Sequence, residues 1–259
     1  MREQTKRKLH KGLALLLSFV VLFSSTLLVM PEGRITVQAA AFAGGDGTAA
    51  NPYQINNINQ FPLITLGTAG AGKHYILTAD LVQPSNATTP LIDGFFYGVL
   101  DGNDHFIELH HAVCDDLGNT GVIRNLRFSC TVSGDLNTYK LSDYSPTSHG
   151  TYFAPITAGN YGLIDNCRGT VNLSFTATGI AFPFISGIAG LNFGGTIRNC
   201  GLTDSSLYLY STNGNEGFVG GLVSQVRQDG KIAGYGGGTI ANSYYVGVAR
   251  AVSSPKPTM

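Results

Sequence analysis

Apolar and polar residues alternate over short stretches along the second half of the chain. In Thr170–Thr176 every second residue is apolar, so an extended backbone places Val171, Leu173 and Phe175 on one face. Ser206–Ser211 repeats the alternation, with Leu207 and Leu209 interleaved by β-forming tyrosines. These periods predict strands. One stretch reads differently: in Asn56–Leu66 the apolar residues Ile58, Phe61, Leu63 and Leu66 stand near helical spacing behind an asparagine cap, and Pro62 is tolerable in a first turn. This predicts a short helix that covers the open end of a sheet, where unpaired strand edges otherwise invite aggregation.

The alternation is embedded in a longer repeat. Four pentapeptides fit Gly-x-Ile-x-Asn: Gly121-Val-Ile-Arg-Asn125, Gly162-Leu-Ile-Asp-Asn166, Gly195-Thr-Ile-Arg-Asn199 and Gly238-Thr-Ile-Ala-Asn242. Their isoleucines, at positions 123, 164, 197 and 240, are 41, 33 and 43 residues apart. No 3.6-residue apolar period fills the intervals, which excludes a helical repeat. Each unit reads instead as three strands joined by Gly, Asn and Asp turns; in the third these are Thr196–Gly201, Ser206–Ser211 and Phe218–Val226. The expected fold is all-β, a right-handed parallel β-helix (β-solenoid) with a short N-terminal capping segment. Strands of successive coils would pair about 4.8 Å apart. Ile123, Ile164, Ile197 and Ile240 would form one interior row. Asn125, Asn166, Asn199 and Asn242 would hold the turns, because asparagine tolerates the left-handed backbone and its amide can bond from coil to coil.

The segment Ile156–Cys167, with Gly162-Leu-Ile-Asp-Asn-Cys167 at its end, resembles the GLUG motif, Gly-Leu-Val-Gly-x-Asn-x-Gly-x-Ile-x-Asn-Cys. Ile188–Cys200 resembles it with one inserted residue. A third copy, Gly220 to Asn242, carries a long insertion containing Gln228-Asp-Gly-Lys231 and has Ser243 in place of the cysteine. Phe42–Ile55 resembles the opening of exported bacterial β-helix proteins, and Phe96–Ile107 resembles their first coil. The likeness spans roughly residues 42 to 250. It implies a secreted or surface-attached, often adhesin-like bacterial protein, and it transfers no catalytic set.

Export is also expected from the N-terminus. Lys6, Arg7, Lys8 and Lys11 precede an apolar run from Gly12 to Met30, and small residues follow at Ala39–Ala41. Residues 1–39 therefore read as a secretory signal peptide. The alternative is an uncleaved membrane anchor, since the run nears the roughly 20 residues needed to span a bilayer. The remaining organisation is a cap segment over 40–70, the repeats over 71–250 and a polar tail over 251–259.

Charge narrows the partners. The whole chain balances 16 Lys+Arg against 16 Asp+Glu, but six of the bases lie before residue 40 with only Glu3 and Glu32 among the acids. The rest holds 10 bases and 14 acids, a net −4, so a basic nucleic-acid-binding surface is not expected. Glycine, at 32 of those 220 positions, is about twice the usual roughly 7%. Lys and Glu are scarce there, which leaves little material for long helices.

Candidate chemistry is sparse. The densest polar cluster is Asp101-Gly-Asn-Asp104-His105 followed by Glu108, His110, His111, Cys114, Asp115 and Asp116. Turn bonding is the first reading of its aspartates, with calcium binding or a paired acid and base as rivals. His105, His110, His111 and Cys114 match no compact zinc spacing. Gly44-Gly-Asp-Gly-Thr48 and Asp101–Asp104 each occur once, so a ladder of calcium sites is not expected. Acids do not repeat in register either: the position of Asp165 is filled by Arg124, Arg198 and Ala241 in its sister motifs. No catalytic residue, cofactor or metal ligand is assigned. Cys167 and Cys200 share a register, open to either stacked reduced thiols or a disulfide. The expected function is a secreted or surface scaffold that binds a glycan or a host or neighbouring-cell protein without catalysis of its own. Tyr139, Tyr144, Tyr152, Tyr208, Tyr210, Tyr235, Tyr244 and Tyr245 are candidate stacking platforms. The alternative is a polysaccharide lyase or glycoside hydrolase.

Overall fold

The structure is a computed structural model that describes residues 41–141, 150–212, 216–227 and 237–254, with the short strands Leu28–Val29 and Ile35–Thr36. The basic stretch and nearly all of the apolar run behind the export reading lie outside the described residues, as do Tyr144, Tyr235, Gln228–Lys231 and the end of the tail. Two compact units are present, Met1–Ala40 and Ala41–Met259. In the first, Leu28–Val29 pairs antiparallel with Ile35–Thr36. No helix among the described residues is long and apolar enough to cross a membrane.

The second unit is all-β and built from parallel sheets. A seven-stranded sheet contains Tyr53–Ile55, His74–Leu77, Val99–Asp101, Val122–Arg124, Leu163–Asp165, Thr196–Arg198 and Thr239–Ala241. A six-stranded sheet contains Leu81–Val82, Phe106–Leu109, Arg127–Asp135, Arg168–Ala177, Gly201–Ser211 and Tyr244–Ser253. A five-stranded sheet contains Ile92–Phe96, Cys114–Leu117, Thr157–Asn160, Ala189–Phe193 and Val223–Arg227. A three-stranded sheet contains Thr151–Phe153, Pro183–Ser186 and Phe218–Gly220. From His74 onward the chain visits the seven-, six- and five-stranded sheets in one cyclic order, and from Thr151 the three-stranded sheet joins the cycle between the six- and five-stranded ones.

The register of the seven-stranded sheet follows the pentapeptides. Ile123 pairs with Ile164, Ile164 with Ile197, and Ile197 with Ile240. The first three are fully buried, each position worth about 1.5–3 kcal/mol of apolar burial. Ile240 departs from the expected interior row: it is 40% exposed, because Thr239–Ala241 is the edge of its sheet and no further described strand covers it. The row also begins earlier than the sequence suggests. Tyr53, Tyr75 and Leu100 occupy the same register, so Phe96–Ile107 follows two earlier strands instead of opening the sheet.

Left-handed asparagines make the corners. Asn125, Asn166, Asn199 and Asn242 have φ of 53°, 52°, 55° and 48°. That region costs most L-residues roughly 1–2 kcal/mol, and short polar side chains offset it by local bonding. Only two residues then separate the strands of the seven- and six-stranded sheets. The amides do not form one continuous ladder. Asn166 Nδ2 donates to Asn125 Oδ1 at 2.9 Å, but Asn125 and Asn199 donate to the carboxylates of Asp101 and Asp165 at 3.0 and 2.9 Å.

After Asn125 the next residue is Leu126; after the other three it is Cys167, Cys200 and Ser243. Cys167 N–H donates to Cys200 Sγ at 3.4 Å, and Cys200 N–H donates to Ser243 Oγ at 3.1 Å. Each side chain in turn donates to the carbonyl two residues back, at Asp165, Arg198 and Ala241. Ser243 thus does the work of the cysteines. All four cysteines are free thiols and buried; contact with Cys200 and burial push the Cys167 thiol up.

Two expectations of local structure are corrected. The later passes carry four strands, not three. The stretch Thr196–Gly201 is broken at the left-handed Asn199, and Phe218–Val226 is two strands parted at Gly221–Leu222. The cap helix is a 3₁₀ helix, Ile58–Leu63, with Pro62 inside it. Asn57 Oδ1 accepts the Asn59 N–H at 2.9 Å and Gln60 Oε1 accepts the Asn57 N–H at 3.0 Å. Its three-residue repeat turns Ile58, Phe61 and Ile64 inward, and leaves Leu66 43% exposed. Behind it Phe42, Tyr53, Tyr75 and Phe96 pack in sequence, with Phe42 and Tyr53 stacked at 4.5 Å.

Candidate functional site

The six-stranded sheet has one buried and one open face. In Arg127–Asp135 the buried residues are Phe128, Cys130 and Val132; in Arg168–Ala177 they are Val171, Leu173, Phe175 and Ala177. Alternation therefore turns Arg127, Ser129 and Thr131 outward on one strand, and Arg168, Thr170, Asn172 and Ser174 outward on the next. In register, the first outward row across the strands is Phe106, Arg127, Arg168, Gly201 and Tyr244.

Around that row lies an open groove of about 390 Å³, lined by Phe106, Arg127, Phe128, Ser129, Arg168, Gly169, Thr170, Gly201, Thr203 and Tyr244. Arg127 and Arg168 are adjacent across a strand pair, about 4.8 Å apart in backbone. Neither makes an ion pair or a side-chain hydrogen bond with any described residue. Gly201 is where the row is interrupted for a reason: a Cβ there would lie 2.3 Å from Tyr244 Cζ. The missing side chain lets the Tyr244 ring lie across the strand towards Arg168.

Further along the same face a second groove of about 320 Å³ is lined by Ser174, Thr176, Tyr208, Tyr210, Arg250 and Val252, among others. Tyr208 and Tyr210 are 42% and 45% exposed. Between the grooves Ser206 Oγ donates to Asn172 Oδ1 at 2.7 Å. The face thus offers three arginines, several hydroxyls and three open tyrosine rings. Its carboxylates are Asp80, within electrostatic range of Arg127; Glu108, in register with Ser129 and 3.2 Å from His110; and Asp204, on a left-handed bulge.

The cluster singled out by sequence is dispersed. Asp101 accepts from the Asn103 backbone N–H, Asn125 Nδ2 and Arg124 Nε at 2.9, 3.0 and 2.8 Å. Burial works against these contacts, yet together they hold its carboxyl below the ordinary 3.8. His105 is 3.1 Å from Asp80, whose carboxyl is held low by the Phe106 backbone N–H and by His105. His111 is buried beside Tyr139 and Phe153, with its backbone N–H on Gln83 Oε1; burial pushes its imidazole down to about 4. The Cys114 thiol donates to the Ile156 carbonyl, and burial pushes it well up. Asp46 accepts from the backbone and hydroxyl of Thr48 in its own turn. Among the described residues no three His, Cys, Asp or Glu side chains converge as a metal-holding group.

Arg127, Arg168 and Phe106 were not among the sequence candidates, although a signal existed. Two residues after the repeat asparagine stand Arg127, Arg168, Gly201 and Tyr244, a column as regular as the isoleucines. Comparison with known families, with characterised proteins and with solved structures finds no match.

Proposed function

We propose that the chain is an exported, adhesin-like surface protein of the GLUG type, wound as a right-handed parallel β-helix, that binds a glycan or a protein partner without catalysing a reaction. The cyclic order of parallel strands and the in-register isoleucines support the winding. The basic, apolar and small-residue sequence of residues 1–39 supports export. Binding is carried by one observation: the outer face of the six-stranded sheet holds Arg127 and Arg168 side by side with no contact ion pair to either among the described residues, the Asp80 carboxylate, which His105 engages, acting on Arg127 only at longer range. Like charges opposed across strands destabilise a sheet, so a chain that keeps them gains from something outside itself. Hydrolysis of a glycoside asks for two carboxyl groups facing each other across a groove. Neither Asp nor Glu lines this one. Glycan arrays and cell-binding assays on the purified protein test the proposal. Binding to any of them that weakens in Tyr208→Ala, Tyr210→Ala or Arg168→Gln variants supports it. Binding indifferent to this face, or release of cleaved products from pectins and other glycans, overturns it.

A further inference from the structure

Resting on the reading that this face binds a ligand, we infer that the occupant is a polysaccharide of uronic acids, with a carboxylate held between Arg127 and Arg168. Guanidinium groups match a carboxylate bidentately, and two arginines one strand spacing apart are near enough for a single carboxylate to be within reach of both. The lining hydroxyls of Ser129, Thr170 and Thr203 suit the alcohols of a pyranose. Tyr244, 50% exposed and lying over Gly201, offers the flat apolar surface on which a sugar ring stacks. Charge density chooses among anionic polymers. This face has three arginines spread over two grooves, with Asp80, Glu108 and Asp204 close by. Such a surface suits a chain bearing one negative charge per sugar or fewer. A densely sulfated glycan or a nucleic acid would set surplus charge against those acids. The second groove extends the site. Arg168 and Ser174 lie six residues apart on one strand, a distance of about 20 Å. An oligosaccharide reaching that far along the strand meets Tyr208, Tyr210 and Arg250 as well.

The test is a titration of the purified protein with polygalacturonate, its carboxyl-reduced form, heparin and single-stranded DNA. Oligogalacturonates of increasing length complete the set. Polygalacturonate should bind, more weakly at high salt, and carboxyl reduction should cost at least tenfold. Affinity should rise with oligomer length until about 20 Å is spanned. Arg127→Gln and Arg168→Gln should each weaken binding roughly tenfold to a hundredfold, since each removes a charged hydrogen bond. Both side chains are exposed, so circular dichroism should show these variants folded. Equal binding of the carboxyl-reduced polymer, or tighter binding of heparin or DNA, overturns the uronate assignment. If those ligands still depend on Arg168 and Tyr208, the face remains the binding face. Binding unaffected by either arginine overturns both readings, whereas no binding to any of the four overturns the uronate assignment alone.

Discussion

In the seven-stranded sheet the outward row Asp101, Arg124, Asp165 and Arg198 alternates in sign and ends on Ala241, whereas the row Arg127, Arg168, Gly201 and Tyr244, three residues after Arg124, Asp165, Arg198 and Ala241, sets two positive charges side by side. The first row is closed on itself. Arg124 Nε is 2.8 Å from Asp101, and Arg198 Nη2 is 2.7 Å from Asp165, whose carboxyl this contact holds below its ordinary value. The second row is open. Both stand on one interior and are joined by the same asparagine corners, so their difference lies in side-chain choice and not in backbone. On the proposed function, the closed row serves the fold and the open row serves the ligand. Exposed ion pairs are worth about 0–1 kcal/mol, so the closed row is a modest stabiliser.

The largest effect should come from the interior that carries both rows. Ile197→Ala leaves a cavity between Ile164 and the edge strand and should cost about 2–5 kcal/mol in chemical unfolding. A loss near zero would place Ile197 at the surface and misalign both outward rows.

Acid should separate the two rows next. His111 is neutral in the fold, with a pKa of about 4 against an ordinary 6.5. Stability is therefore complete above about pH 6.5 and falls as pH drops towards 4, by on the order of 2–3 kcal/mol, because only the unfolded chain takes up the proton. Asp80, Asp101 and Asp165 have depressed values, so their contribution is present above 3.8 and is lost as pH falls below it. Thermal melts should show a decline between pH 6.5 and 4 that flattens in His111→Gln, then a second decline below 3.8 that Arg198→Gln reduces. A melting temperature constant from pH 7 to 4 would contradict the assignment for His111.

The interior row and its corners were legible in the chain because a few residue types recur in a fixed pentapeptide. The earlier strands were not: Tyr75 and Leu100 take the isoleucine position, and no asparagine follows either strand in that spacing. The three-stranded sheet was also hidden. Pro183–Ser186 is buried on both faces and shows no alternation, while Thr151–Phe153 and Phe218–Gly220 are only three residues long. The open row was within reach of sequence, since it needs only the register of the asparagines. What sequence withheld is the neighbour: Arg124 and Arg127 look alike until pairing across the strands gives one Asp101 and Asp165 and the other Arg168.

A smaller and opposite pair of effects follows for stability. Arg198→Gln removes two hydrogen bonds to one oxygen of Asp165 and should lower stability by up to about 1 kcal/mol. Arg168→Gln removes a repulsion and should leave stability unchanged or raise it by a few tenths of a kcal/mol. Denaturant midpoints measured side by side give the sign; a clear loss for Arg168→Gln would show a partner for that arginine.

The most direct test compares the two rows against one ligand. Isothermal titration with an oligogalacturonate of the wild type, of R127Q/R168Q and of R124Q/R198Q isolates the open row from the closed one at equal loss of charge. The open-row variant should lose at least a hundredfold in affinity, while the closed-row variant stays within a few fold of wild type. Equal losses in the two variants would mean that diffuse charge governs binding, and would contradict the assignment of the ligand to this face.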